Sequence, residues 1–290
     1  MKHGRVWAAA LAAALALTAA GCGGGGEAPG ASAPPEAAQS APAESPPAEE
    51  RGADLLAFAF SRRELLDRYR DYQALRPELT AEEVVVRVNI GLDRPPYEDT
   101  DTVSCPESLT ALVNKYHALP ADYDPEVELL GSHYSIVQEG LRPEAAQAFL
   151  AMAQAAREEA GLKLYSVSAY RSYGHQSWSY QRYAAADGAE AADTYSARPG
   201  HSEHQTGLAL DVNTASLSDH FEETAEYAWL QENAVRFGFI LRFPEGKEDV
   251  TGYQFEPWHY RYVGAEAAQI CWDNGWTLEE YHARQPAQGG

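Results

Sequence analysis

The sequence is poor in positive charge. Its 22 Lys and Arg face 43 Asp and Glu, which gives a formal net charge of −21 at pH 7. Proteins that bind the phosphate backbone of nucleic acids need an excess of basic residues, so the charge excludes a nucleic-acid partner. No glycine-rich loop follows a predicted strand, which argues against a nucleotide-binding α/β fold.

The N-terminus lacks an apolar run of the roughly 20 residues that a membrane span needs. An uncharged Ala/Leu run from Val6 to Ala20 follows Lys2 and Arg5 and ends just before Cys22. This order is typical of a secretory signal. Its end resembles a bacterial lipoprotein signal, which implies that Cys22 is lipidated and that the protein is anchored to the bacterial cell membrane outside the cytoplasm. The alternative is a cleaved signal with a chance cysteine.

Cysteine is scarce, with three residues in the whole chain. If Cys22 carries lipid, Cys105 and Cys271 are left in an oxidising compartment, where a disulfide between them would be stable. Two separate thiols are the other possibility, and the sequence favours neither.

Large apolar side chains are almost absent from residues 23–50, which consist mainly of Gly, Ala, Pro, Ser and Glu. Such a segment buries too little apolar surface to offset the entropy of ordering, so it predicts a disordered linker. We therefore divide the chain into a signal peptide (1–22), this linker, an N-terminal extension packed on the main domain (51–130) and the main domain itself (131–285).

Helices and strands alternate irregularly in the folded part, which predicts an α+β fold. Apolar spacing and end signals predict helices over residues 55–75, 143–160 and 222–237. β-branched and aromatic runs predict strands over residues 83–90, 163–169, 208–212, 239–243 and 255–263.

One segment, residues 196–211, places His and acidic residues around a turn that leads into an apolar strand. His204 and Asp211 are seven positions apart, so they would point to opposite faces of a single straight strand. The chain must therefore turn between them, and Gly207 with the two residues before it is where it can. With that turn, the two side chains can converge on one point.

A second segment, residues 255–263, has His259 three positions after Glu256. Pro257 excludes a helix interior, so this is not the helical HExxH arrangement of many zinc proteases. Two histidines and one carboxylate form an ordinary catalytic zinc set with a coordination position left for water. A fourth ligand from His201 would close that position, so we interpret His201 as a loop residue.

The two segments, together with Ser168-Ala169-Tyr170-Arg171-Ser172-Tyr173 and Gln176, resemble the VanY-type D-alanyl-D-alanine carboxypeptidase family. This family belongs to the zinc D,D-peptidases, which include the VanX dipeptidases. The likeness runs from about Leu55 to Trp276. It implies a Hedgehog-like α+β fold with a small, mostly antiparallel sheet, flanking helices and a helical and strand-containing N-terminal extension.

Carried over to this sequence, the resemblance implies one Zn²⁺ ion bound by His204, Asp211 and His259. Glu256 would be the general base that takes a proton from the attacking water. Arg171 would stabilise the charge that develops on the carbonyl oxygen. The residues expected to bind substrate are Ser172, Gln176 and Ser202.

The expected activity is removal of the terminal D-Ala from peptidoglycan stem peptides or precursors that end in D-Ala-D-Ala. An L,D-carboxypeptidase or an endopeptidase on the same polymer is an alternative, and so is a zinc-containing module that binds wall peptides without cutting them. Three aromatic residues are expected in the core: Trp258, Tyr260 and Tyr262. Five histidines without a partner motif are expected at the surface: His117, His133, His175, His220 and His282.

Overall fold

The structure, a computed structural model, describes residues 54–286. The helices are α1 (Leu66–Leu75), α2 (Ala81–Ile90), α3 (Pro143–Ala160), α4 (Tyr173–Asp187), α5 (Ala189–Ala192), α6 (Ala225–Asn233), α7 (Glu248–Thr251), α8 (Ala265–Asn274) and α9 (Leu278–Ala283). The strands are β1 (Asp101–Thr102), β2 (His117–Ala118), β3 (Glu128–Leu129), β4 (Gly140–Leu141), β5 (Tyr165–Ser168), β6 (Ala209–Asn213), β7 (Phe239–Leu241) and β8 (His259–Tyr262). Short 3₁₀ turns are formed by Arg63–Leu65, Glu203–Thr206, Phe221–Glu223 and Ala234–Phe237.

The main sheet has four strands in the order β5-β6-β8-β7, and every neighbouring pair is antiparallel. Strands β3 and β4 form a second antiparallel pair, while β1 and β2 form a short parallel one. Helices flank these sheets without alternating regularly with the strands. The predicted α+β class and the mostly antiparallel sheet are therefore confirmed.

One face of the main sheet packs against α3. Leu210 and Val212 of β6 and Tyr260 of β8 share a buried cluster with Phe149 and Met152 of the helix. Because side chains alternate between the two faces of a strand, the residues between these apolar ones point to the opposite face. The sheet thus has an apolar face that builds the core and a second face on which polar side chains collect. Trp258 and Tyr262 pack against the same core, as predicted.

Helix α3 has the predicted bounds, and both of its ends follow from its sequence. Pro143 occupies the first turn, where a missing N–H is tolerated. Gly161 ends the helix with φ +71°, a left-handed conformation that favours glycine.

The strand predicted over residues 83–90 is wrong, because this segment is helix α2. Thr80 and Glu83 form a capping box that starts the helix, each accepting a backbone N–H of the other. Val85 packs towards α1, whereas Val86 and Ile90 pack against Val250 and Ala283. A helix buried on two sides has a nearly continuous apolar run, which sequence spacing does not distinguish from a buried strand.

Two predicted helices are shorter in the structure. Residues 54–62 form turns, and only Leu66–Leu75 is α-helical, although Leu55 packs with the same cluster as α1. Helix α6 starts after Thr224, whose side chain accepts the N–H of Tyr227, and it ends in a 3₁₀ turn. The strand predicted from residue 255 begins at His259, because the residues around Pro257 form a turn.

The segment before residue 130 packs on the C-terminal part of the chain through α2. The Asn89 side-chain amide donates to the carbonyl of Ala283 at 3.0 Å, and Arg87 pairs with Asp249 at 2.5 Å. The division of the folded part at residue 130 stays a prediction.

The expectations for the signal peptide, lipidated Cys22 and the linker lie outside the described residues. None of the helices within residues 54–286 is long and apolar enough to cross a membrane.

Two expectations about single side chains are settled by the fold. Cys105 is exposed and Cys271 is buried, and both are free thiols, so the structure has separate thiols at these positions. Three of the five histidines are exposed as predicted, but His117 and His282 are partly buried, with ring centroids 6.4 Å apart. They meet because the N-terminal extension packs on α9.

His117 should make the fold sensitive to acid. Burial, followed by the neighbouring His282, lowers the pKa of His117 from 6.5 to about 4. Its neutral form therefore stabilises the fold fully above pH 6.5, and this contribution is lost as the pH falls towards 4. Between pH 7 and 4, the free energy of unfolding should fall by about 2 kcal/mol more in the wild type than in His117→Asn. Urea unfolding at both pH values measures this.

His133→Asn, at an exposed position, is the control for the His117 variant and should follow the wild type. The same pH dependence in His117→Asn and the wild type would contradict the assignment.

Candidate metal centre and active site

The polar face of the main sheet brings two of the predicted ligands together. Asp211 of β6 and His259 of β8 are directly opposite each other in the antiparallel register. Directly opposite residues on neighbouring strands have their side chains on the same face and within contact distance. Both belong to the face away from α3.

His204 reaches the same point from the 3₁₀ turn Glu203–Thr206, which precedes β6. Gly207 follows the turn with φ +67°, where a side chain would be strained and would also crowd Arg142 at 3.1 Å. The Thr206 hydroxyl donates to the Glu203 carbonyl at 2.5 Å and accepts the Leu208 N–H at 3.0 Å. The predicted turn is therefore present where the sequence requires it.

The distances among the three side chains suit a single metal ion. Asp211 Oδ1 lies 3.5 Å from His204 Nε2 and 3.2 Å from His259 Nδ1, and the three candidate ligand atoms all lie within 4.8 Å of one another. Tetrahedral ligands at roughly 2.0–2.1 Å from zinc would be about 3.4 Å apart. Asp211 Oδ1 is also buried without a hydrogen-bond partner among the described residues. The donor set and this free oxygen fit a zinc ion.

The ring of His204 is oriented by the backbone. Its Nδ1–H donates to the carbonyl of Ala169 at 2.6 Å, since a carbonyl oxygen can only accept. This bond leaves Nε2 without a proton and directed at Asp211. Such a hydrogen bond behind a ligating ring is the usual way in which proteins fix the tautomer that binds metal.

Burial and neighbouring charges shift the pKa values of the three residues. Burial would raise the pKa of Asp211, but the rings of His204 and His259 outweigh it and lower this pKa. Burial, with Arg171 next, lowers the pKa of His204. Burial opposes protonation of His259 as well, yet the neighbouring carboxylates of Asp211 and Glu203 raise its pKa to about 9. Metal binding would therefore displace a proton from His259.

Glu256 lies at the rim of this cluster. Its Oε2 is 3.7 Å from His259 Nδ1, and only 7% of the residue is exposed. Burial, partly offset by His259, raises the pKa of Glu256 to about 8. The buried Glu256 and the partly buried Asp211 are thus two neighbouring carboxylates whose pKa values are shifted in opposite directions, a pattern that is frequent in active sites.

Arg171 is held in place from two sides. Its Nη1 donates to Gln176 Oε1 at 2.9 Å, and its Nη2 donates to Ser168 Oγ at 2.8 Å. Gln176 in turn donates to the carbonyl of Ala197 at 2.6 Å. The backbone N–H of Arg171 donates to the carbonyl of His204, so the arginine is tied to the turn that presents a ligand.

The other predicted site residues have more varied positions. Gln176 is buried and supports Arg171, whereas the exposed Ser172 caps α4 by accepting the N–H of His175. Ser202 is buried next to the 3₁₀ turn. His201 is not part of the three-residue cluster, and its Nδ1 lies 2.7 Å from the carbonyl of Asn114.

The sequence reasoning missed a buried ion cluster behind the candidate ligands. Glu203 Oε1 accepts from Arg242 Nε and Arg261 Nη1, each at 2.8 Å, and Arg242 forms two further hydrogen bonds with Glu279. Two arginines and two glutamates make the cluster neutral, and removing one member would leave a buried unpaired charge. The available signal was an arginine within each of two predicted strands, 239–243 and 255–263, whose other residues are largely apolar or aromatic.

Comparison with known proteins agrees with this geometry. The profile of the family described as "VanY: D-alanyl-D-alanine carboxypeptidase" matches residues 138–265. YodJ of Bacillus subtilis (strain 168) is 44% identical over 191 residues, which cover 62% of this chain and 69% of that protein. This chain belongs to the VanY family of D-alanyl-D-alanine carboxypeptidases.

Two solved structures resemble the fold. The LdcB LD-carboxypeptidase is 42% identical with a TM-score of 0.60, and the match covers 64% of this chain and 91% of that one. The vancomycin resistance D,D-pentapeptidase VanY, as a mutant in complex with Zn(II), is 39% identical with a TM-score of 0.53, over 60% of this chain and 98% of that one. The chain is therefore a carboxypeptidase by family, and it has the fold of the zinc D,D-peptidases.

His204→Ala should abolish stoichiometric zinc binding, because one imidazole and one carboxylate do not hold the ion tightly. The matched control is His201→Ala, three positions away, which should still bind one zinc ion per chain. Metal analysis after dialysis against a weak chelator measures both variants. Zinc retained by His204→Ala, or lost from His201→Ala alone, would show that the ligand set is a different one.

Proposed function

We propose that this protein is a zinc-dependent D,D-carboxypeptidase that removes the terminal D-Ala from peptidoglycan stem peptides or precursors. The observation that carries the proposal is the convergence of His204, Asp211 and His259, with Glu256 beside them, in a member of the VanY family. The VanY structure in complex with Zn(II) supports zinc as the metal.

His204 Nε2, Asp211 Oδ1 and His259 Nδ1 would hold the ion. When bound, zinc supplies a Lewis acid that polarises the substrate carbonyl and makes water a stronger nucleophile at neutral pH. The three residues contribute a single negative charge, so the loaded site keeps a net positive charge. That charge favours the developing oxyanion over the neutral ground state.

Glu256 would act as the general base and then as a general acid. Its carboxylate takes a proton from the attacking water and passes it to the amine of the leaving D-alanine. A pKa raised by burial makes the carboxylate a stronger base than an exposed glutamate. The positive charge of a bound metal would lower this pKa and keep the base ionised near neutral pH.

Arg171 would stabilise the negative charge that develops on the carbonyl oxygen. Its guanidinium is always charged, and the bonds to Ser168 and Gln176 fix its plane before substrate arrives. A cation that is already oriented needs little reorganisation during the reaction. Ser172 and Ser202 are proposed to contact the substrate, and Gln176 to contribute by holding Arg171.

The resemblance of residues 1–22 to a lipoprotein signal supports a location outside the cytoplasm, where Cys22 would anchor the protein to the membrane. Peptidoglycan stem peptides ending in D-Ala-D-Ala are the proposed substrates there. The linker over residues 23–50 would allow the folded part to reach the wall from the membrane surface.

An L,D-carboxypeptidase is the second candidate, because the LdcB LD-carboxypeptidase is as similar to this chain as the D,D-pentapeptidase VanY. Both activities release one C-terminal D-alanine and need the same metal, base and cation. They differ in the residue that precedes the cleaved bond, which is D-alanine in one substrate and an L-centre of a diamino acid in the other.

Purified zinc-loaded protein should release D-alanine from a pentapeptide stem that ends in D-Ala-D-Ala, and release it faster than from the tetrapeptide lacking the last residue. Mass spectrometry of both products over time measures the two rates. Faster cleavage of the tetrapeptide would favour the L,D-carboxypeptidase. No D-alanine from either peptide, with zinc bound, would reject both candidates.

Glu256→Ala should lower kcat by roughly 10²–10⁴-fold, because the proton transfers lose their acceptor and donor. Zinc content should stay at the wild-type level, since Glu256 is not one of the three clustered ligands. Turnover and metal content are measured on the same preparation. Undiminished turnover would remove Glu256 as the base, and a wild type that binds stem peptides without cutting them would indicate a binding module.

A further inference from the structure

Glu203 has one carboxylate oxygen that its ion pairs do not use. Oε1 accepts from both Arg242 and Arg261, whereas Oε2 is buried without a hydrogen-bond partner among the described residues. The Nε2 atom of His259 is likewise buried and without a partner in that part of the chain. Buried polar atoms are nearly always hydrogen-bonded, so two such atoms close together call for an explanation.

These two atoms face each other. His259 Nε2 lies 3.6 Å from Glu203 Oε2, just beyond hydrogen-bond length, while Nδ1 of the same ring lies 3.2 Å from Asp211 Oδ1. A small rotation of the ring would give both buried atoms a partner. A carboxylate can only accept, so this contact places the proton on Nε2 and leaves Nδ1 free for the metal.

Resting on the proposed function, we propose that Glu203 is a positioning residue that accepts the Nε2–H of His259 and so directs Nδ1 of that ring to the metal. His204 faces the metal site with Nε2, because the backbone carbonyl of Ala169 accepts its Nδ1–H. His259 faces the metal site with Nδ1, because the Glu203 carboxylate lies next to its Nε2. Each imidazole thus has its own acceptor on the side away from the ion.

The two arginines keep Glu203 ionised and in place. Arg242 is fully buried and spans Glu203 and Glu279, and Arg261 also donates to the carbonyls of Leu109 and Ala111 at 3.0 and 2.9 Å. Glu279 accepts from the side chain of Asn114 at 3.2 Å. The buried ion cluster that contains Glu203 thus includes residues from the N-terminal extension and from α9, but of its two carboxylates only Glu203 faces His259.

The test compares Glu203→Gln with Glu279→Gln. Both variants remove one carboxylate charge from Arg242, but only Glu203 faces His259. Zinc affinity, measured by competition with a chelator on fully folded protein, should fall by roughly 10–100-fold in Glu203→Gln. It should stay within about threefold of the wild type in Glu279→Gln, because that residue lies outside the ligands' hydrogen-bonding shell. Equal affinities in the two variants, whether retained or lost, would overturn the inference.

Glu203→Asp covers the case in which Glu203→Gln does not fold. It keeps the negative charge that balances the arginines and withdraws the carboxylate from His259 by one methylene. Its zinc affinity should still fall, whereas Glu279→Asp should bind zinc like the wild type. Wild-type affinity in Glu203→Asp would also overturn the proposal.

A spectroscopic readout separates positioning from stability. In zinc-loaded wild type, the Nε2–H of His259 should give a slowly exchanging, strongly downfield ring N–H resonance in ¹H–¹⁵N spectra. Glu203→Asp should lose or shift this signal, and Glu279→Asp should keep it. If wild-type protein binds no zinc, the proposed function fails; if it binds zinc and turns over but the resonance is insensitive to Glu203, only the present inference fails.

Discussion

The active-site arrangement depends on the antiparallel pairing of β6 with β8. This pairing sets Asp211 opposite His259 and places both on the face that α3 leaves free. A shift of the register by one residue would move the pair to opposite faces, one of them into the apolar core. The large buried residues on the α3 side, such as Leu210 and Tyr260, therefore specify the position of the candidate metal ligands as well as stabilising the sheet.

Burial of charge is the second constraint on this site. Asp211, Glu203 and Glu256 are carboxylates in the interior of the protein, and each has a different arrangement of neighbours. Histidine rings surround Asp211, and arginines neutralise Glu203. Glu256 has little compensating positive charge, so burial raises its pKa. An isolated buried charge is very unfavourable, so a carboxylate without a full partner becomes a proton acceptor. The chemistry proposed for the site follows from this uneven compensation.

Much of the site could be predicted from sequence because its residues fall in two short segments. The need for a turn between His204 and Asp211, and the exclusion of a helix by Pro257, follow from local stereochemistry. The fold class and helix α3 could also be predicted, since Pro143 and Gly161 mark the ends of that helix.

The features that sequence did not predict depend on tertiary contacts. The sequence of helix α2 resembles that of a strand, because a helix that packs on two sides has few polar positions. The run of valines favoured a strand more strongly than the capping box at Thr80 favoured a helix. Glu203 was not singled out beside His204, because its partners are distant in sequence: Arg242 lies directly after β7 and Arg261 lies in β8. Pairing among such distant residues is set by the fold and has no local pattern.

The ion cluster also bears on where the catalytic unit ends. The family match stops at residue 265, yet Arg242 obtains two of its hydrogen bonds from Glu279 of α9, which lies beyond that point. A fragment trimmed to residues 138–265 would contain the Arg242 guanidinium in the protein interior without Glu279, one of its two carboxylate partners. The minimal autonomous module is therefore longer than the segment that the family profile matches, and grafting or exchanging domains in this enzyme would have to carry the C-terminal helix along.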